Sequence, residues 1–213
     1  MIANQRLKYE EKANVWTHGL ALFFGLIGAI YLMIEAGRHS IELGIFSASL
    51  FGLSVVLLYS ASVGYHISKL YESGLSSALR MVDHICIYFL IAGSYTPFAL
   101  IKMSNSCGWR VFYMIWGLAL VGTVFKLFFR HRYRLLSILF YVSMGWMIIF
   151  DYSTLADSVS NSTLQMIIAG GVAYSIGVFF YAYERLPYSH AIWHVFVLVG
   201  TAYHYFAVLS IYN

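Results

Sequence analysis

The chain has 213 residues, 61% of them hydrophobic and only 10% charged, which excludes a soluble domain of this size because so much apolar surface would face water. Seven apolar runs of about 20 residues each, the length that crosses a bilayer, use roughly two thirds of the chain and leave no room for a separate soluble domain. The net charge of +4 comes from Lys and Arg spread over loops and termini, a pattern of membrane topology rather than of nucleic-acid binding.

A polar segment of mixed charge at 1–13 comes first. Apolar runs of spanning length are then predicted at 15–35, 43–66, 83–101, 109–129, 135–151, 164–183 and 190–211. The first run is too long for a removable signal peptide and has no small-residue cleavage site, so it is expected to remain as a span. The connectors GRHS, SKLYESGLSS, KMSNSCG, RHRYR, ADSVSNS and ERLPYS are long enough only for turns or a brief surface helix. The expected fold is therefore an all-α integral membrane domain of seven transmembrane helices over 1–213. Pro97, inside the third span, is expected to kink it toward its outer end. Pro187 is placed to start the seventh helix. Cys86 and Cys107 fall near opposite ends of neighbouring spans, too far apart for a disulfide.

With the N-terminus inside, ten Lys and Arg lie on the cytoplasmic side and three, Arg38, Lys102 and Arg110, outside. This bias orients the N-terminus to the cytoplasm and the C-terminus to the exterior. Several costly polar residues then share the cytoplasmic ends of their helices: His18, His66, Asp83, His84, His190 and His194. His190 and His194, four residues apart, lie on one helix face and can direct two imidazoles at one metal. His66 is the natural third ligand, which leaves the fourth position of a catalytic Zn²⁺ open. Ser62 sits four residues before His66 on the same face. Asp83 follows the next loop and can orient a ligand or take a proton from water. His204 lies ten residues past His194, about 15 Å along the helix, and cannot join them. His84 and His204 are expected to be hydrogen-bonded packing residues, and His131, in a basic loop, to meet headgroups. His18 shares a face with Asn14 and Glu11, and that group also reads as a polar helix start with Glu11 at the positive dipole end.

These residues resemble the hemolysin III family, bacterial members of the superfamily that includes the adiponectin and progestin receptors. The resemblance covers nearly the whole chain. It rests on Glu11-Lys-Ala-Asn14-Val-Trp-Thr-His18, Ser62-Val-Gly-Tyr-His66, Asp83-His84 followed by IAGSYTP, and His190-Ala-Ile-Trp-His194. It implies seven helices with topology opposite to G-protein-coupled receptors, residence in a bacterial plasma membrane, and zinc held by His66, His190 and His194. It also implies that Ser62 and Asp83 sit beside the water on that zinc, and that some relatives hydrolyse the amide bond of ceramides.

The leading expectation is a zinc-dependent hydrolase of a lipid amide or ester, with the lipid chain entering between helices. The alternative is a non-enzymatic protein, a cytolytic pore or a sensor, in which zinc only fastens the second and seventh helices. A Ser62–His66–Asp83 triad would leave the paired histidines of the seventh helix without a role. A retinal protein would need a buried Lys in the last helix, and the final lysine is Lys126 in the fourth. The orientation is checked with reporter fusions: a C-terminal fusion should be active outside the cytoplasm, and one active only inside would reverse the topology.

Overall fold

The computed structural model describes residues 2–130, 132–183 and 185–212, with side chains from residue 5 onward. The expectation for His131 lies outside the described residues. The secondary structure is helical throughout: α1 (Ile2–Arg38), α2 (Gly44–Leu70), α3 (Ser76–Pro97), α4 (Gly108–Phe129), α5 (Arg134–Gly145), α6 (Tyr152–Ser158), α7 (Asn161–Ala182) and α8 (Ser189–Leu209). A 3₁₀ turn over Met147–Asp151 joins α5 to α6, and Arg134–Ser158 forms the fifth span, so seven helices have the length and composition to cross a membrane. α7 and α8 are the sixth and seventh spans.

Lipid-facing composition explains why this sequence makes helices. Within hydrocarbon every backbone N–H and C=O must be paired inside its own segment, which a helix does and an isolated strand cannot. The outward faces are correspondingly apolar, with Phe23, Phe24 and Ile27 on α1 and Leu120, Val121 and Val124 on α4 all exposed. α3 packs between α2 and α4 and touches α5 and α8. It is the most buried span, which puts Asp83 and His84 at the centre of the bundle. α8 packs against α7 and α1, and α1 packs against α2. The second and seventh spans are thus brought together through the first.

The helices reach further than the apolar runs at the end that carries the polar residues. α1 begins at Ile2 rather than near residue 15, α2 continues to Leu70, and α3 starts at Ser76. A hydrophobicity threshold finds the part of a helix that lies in hydrocarbon and stops where polar side chains begin, although the backbone ladder continues. At about 1.5 Å per residue, α1 is longer than the bilayer core is thick. Its 2–13 portion is therefore helical extension rather than a loose polar lead-in, and Glu11 stands in mid-helix, away from the dipole end where the sequence placed it. Pro97 ends the regular part of α3, and the strand of backbone that follows, Phe98–Lys102, winds as a π-helix. The amide of Met103 reaches the Phe98 carbonyl at 3.0 Å, so the disruption of the ladder is absorbed by widening. Cys86 and Cys107 are both free.

α2 and α3 approach closely at Gly93, where an added Cβ would lie 2.3 Å from Ser54 Oγ and 3.3 Å from the Leu50 carbonyl oxygen. Gly93→Ala should destabilise the protein by about 1–3 kcal/mol through overpacking. Gly117, with nothing within 4 Å of a Cβ, should accept Ala without loss. Thermal unfolding of the two variants in detergent checks the contrast.

Candidate metal centre

The site is assembled from four helices at one end of the bundle. His66 lies near the end of α2 and His190 and His194 in the first two turns of α8, and one ring nitrogen from each falls within 4.8 Å of the other two. His66 is 1% exposed and His194 0%, while His190 is half-buried. Nε2 of each of the three is shut off from solvent and has no hydrogen-bond partner.

The opposite nitrogens explain why. His66 Nδ1–H donates to Glu11 Oε2 at 2.7 Å, and the other oxygen of the same carboxylate accepts from Lys69 Nζ at 2.5 Å. His194 Nδ1–H donates to Thr17 Oγ1 at 3.2 Å, because the Thr17 hydroxyl is itself committed as a donor to the Ala13 carbonyl at 2.9 Å. In a neutral imidazole only one nitrogen carries the proton. Holding it on Nδ1 leaves Nε2 of His66 and His194 as bare lone pairs. Converging lone pairs with no donor between them form an unfavourable arrangement unless a cation sits among them, and the donor set of three imidazoles suits Zn²⁺. The residues therefore fit a zinc ion. Among the described residues no fourth His, Cys, Asp or Glu joins the cluster, so a metal held there would keep a position open.

Two of the other expected residues stand beside this cluster. Ser62 is fully buried and shares a hydrogen bond with His18 Nδ1 at 2.7 Å. Asp83, 3% exposed, lies within side-chain hydrogen-bond reach of Ser62. His18, Ser62 and Asp83 thus stand side by side from α1 through α2 to α3. His18 also stacks on His194 with ring centroids 3.5 Å apart and planes 13° from parallel, and its Nε2 is buried and unpartnered. The histidine that the sequence left undecided therefore belongs to the site.

His84 and His204 do not join the cluster. His84 contacts the Arg80 carbonyl through Nδ1 at 2.7 Å and the Tyr181 hydroxyl through Nε2 at 3.2 Å. His204 contacts the Ile167 carbonyl at 3.2 Å. Both have the packing roles expected of them. Sequence reasoning missed Glu11 as the partner of His66 and Thr17 as the partner of His194. The available signal was the spacing of Glu11, Asn14 and His18 along one face of α1, which is uneconomical for a helix that only has to start.

An apolar cavity of about 120 Å³ opens beside the cluster between α3, α5, α7 and α8, walled by Ile87, Ile91, Val142, Val178 and Val197, with His18 and Asp83 in its lining. Its walls form a largely apolar gutter, with polar groups running along it from His18 and Asp83 to Ser175 and His204, which suits a hydrocarbon chain.

Residues 7–205 match the family described as Haemolysin-III related. The chain is 38% identical to Hemolysin-3 of Bacillus cereus over 200 residues, 94% of this chain and 90% of that protein. It is 39% identical to the Hemolysin-3 homolog of Bacillus subtilis over 94% of this chain and 93% of that one. It is also 30% identical to the human Monocyte to macrophage differentiation factor, over 97% of this chain and 87% of that protein. With the match running through every helix that builds the cluster, the chain belongs to the Haemolysin-III related family of multi-pass membrane proteins.

Proposed function

We propose that the protein is a zinc-dependent hydrolase of a lipid amide or ester, with His66, His190 and His194 as ligands and the site at the cytoplasmic leaflet of a bacterial plasma membrane. The observation that carries this reading is the gathering of three partnerless Nε2 atoms next to His18, which stacks on His194 and lines an apolar cavity together with Asp83. Zinc, when bound, would polarise the scissile carbonyl and lower the pKa of a coordinated water toward about 7. The protein's own groups do the rest. The cavity walls hold the acyl chain and exclude bulk water. Asp83 takes a proton from the attacking water as its oxygen adds to the carbonyl carbon. The same carboxyl then returns the proton to the departing nitrogen or oxygen as the C–N or C–O bond breaks. Ser62, fixed by His18, orients Asp83 and the water. Glu11 and Thr17 keep the protons of His66 and His194 on Nδ1. The competing reading, a pore or sensor in which metal only fastens α2 to α8, has less support, because fastening is best served by a fourth protein ligand.

Purified protein should carry about one zinc per chain. His66→Ala, His190→Ala and His194→Ala should each lose most of it, and His204→Ala none. Glu11→Gln removes the charge but keeps an acceptor for His66 Nδ1–H, and should weaken zinc affinity by about tenfold. Metal analysis after dialysis against a graded chelator measures all five, and normal zinc in the three cluster variants would refute the site.

Catalysis is tested separately by a lipid-hydrolysis screen of the wild type, followed by Asp83→Asn and Ser62→Ala. Both variants should retain zinc. Asp83→Asn should lose turnover by about a hundredfold or more, because Asn cannot accept the proton. Ser62→Ala should lose less. A screen that finds no zinc-dependent turnover would favour the fastening role. Unchanged turnover in Asp83→Asn would remove Asp83 as the base.

A further inference from the structure

One buried charge has no part in either the fold or the proposed reaction. Lys126, in the last turn of α4, is 2% exposed, and among the described residues no carboxylate lies within ion-pair distance of its ammonium. A lysine side chain buried in a spanning helix is stabilised by an anionic partner for its ammonium. Instead Lys126 shares a recess with two further cations from neighbouring helices, Arg80 of α3 and Arg134 of α5.

The walls are fixed by bonds of their own. Arg134 Nη2 donates to the Tyr181 carbonyl at 2.5 Å, and its guanidinium lies 4.5 Å from the centroid of the Tyr181 ring. The Tyr141 hydroxyl donates to the His84 carbonyl at 2.9 Å. The one carboxylate on the helix of Arg80 is Asp83, which lies beside Ser62. The recess has a volume of about 10 Å³, enough for a single oxygen atom rather than a whole oxyanion. Its ligand must therefore offer one projecting, negatively charged oxygen and keep its bulk at the mouth. A phosphate group does this, and guanidinium and ammonium groups together are its usual partners.

We propose that Arg80, Lys126 and Arg134 form an anion site that receives a phosphate oxygen, presented by a lipid headgroup or by inorganic phosphate. The recess shares Ile138, Tyr141 and Tyr181 with the apolar cavity, so a lipid phosphate held here stands next to the space that takes hydrocarbon. The site does not depend on metal in the histidine cluster, and its test uses no enzymatic activity.

Full-length protein in a maltoside detergent is offered phosphatidic acid or diacylglycerol with the same acyl chains, and retention is read by native mass spectrometry. The wild type should retain phosphatidic acid by about tenfold over diacylglycerol. Lys126→Met or Arg80→Gln should abolish the preference, Lys126→Arg should keep it, and Arg132→Gln, which removes an exposed loop cation, should leave it unchanged. Competition by millimolar inorganic phosphate would show that phosphate from either source occupies the site, and its absence would assign the site to the headgroup. If neither lipid is preferred, thermal unfolding is compared in phosphate and chloride at equal ionic strength. A Lys126-dependent rise in phosphate would assign the site to free phosphate. No lipid preference and no rise, or a lipid preference that survives in both Lys126→Met and Arg80→Gln, would overturn the proposal.

Discussion

Three imidazole nitrogens stripped of water and of hydrogen-bond partners at one point are the constraint on which the rest of the structure turns. Inside a membrane protein an unsatisfied polar atom is costly, and the chain has few places to hide one. Here the orphaned state is built from the other side of two of the rings, since Glu11 and Thr17 of α1 hold the protons of His66 and His194 on Nδ1. That requirement accounts for α1 continuing well past the length a bilayer needs. Its polar portion delivers Glu11 to the level of His66 and Lys69, and nearly two turns further on it delivers Thr17 and His18 to α8 and α2.

The same arrangement links the metal-binding potential to a place for a lipid. α1, α2 and α8 converge on the histidines, α3 brings Asp83 to their edge, and α5 and α7 stand off far enough to leave an apolar gutter. A soluble hydrolase must exclude water from its site by closing over it. In a bundle embedded in hydrocarbon the surroundings already do so, and the problem becomes one of admitting water and the polar head of a lipid at a single end. The clustered cations of α3, α4 and α5 lie beside the gutter rather than within it.

Much of this was legible in the sequence because hydrophobic length and helical spacing are local properties. The seven spans follow from apolar runs, and His190 with His194 follows from a separation of four on one helix. His66 could be added because all three fall at the same ends of their spans. The partners of these residues were not legible. Glu11 and His66 are 55 positions apart, and Thr17 and His194 are 177 apart, so nothing local connects them. His18 was ambiguous for the same reason: its stacking on His194 and its bond to Ser62 depend on how α1 packs, which periodicity does not specify. The extent of α1 was missed because hydrophobicity ends where the lipid does. Pro97 was expected to kink its helix, and the π-helical turn that directly follows it, with Phe98 buried, was not legible from the proline alone.

X-ray absorption at the zinc edge of the purified protein tests the central claim most directly, because it reports which atoms surround the metal without requiring a substrate. Three imidazole nitrogens at about 2.0–2.1 Å with one further light ligand are predicted, and one imidazole should disappear from the shell when His66 is replaced. A metal-free protein, or a shell containing sulfur from Cys86 or Cys107, would contradict the account.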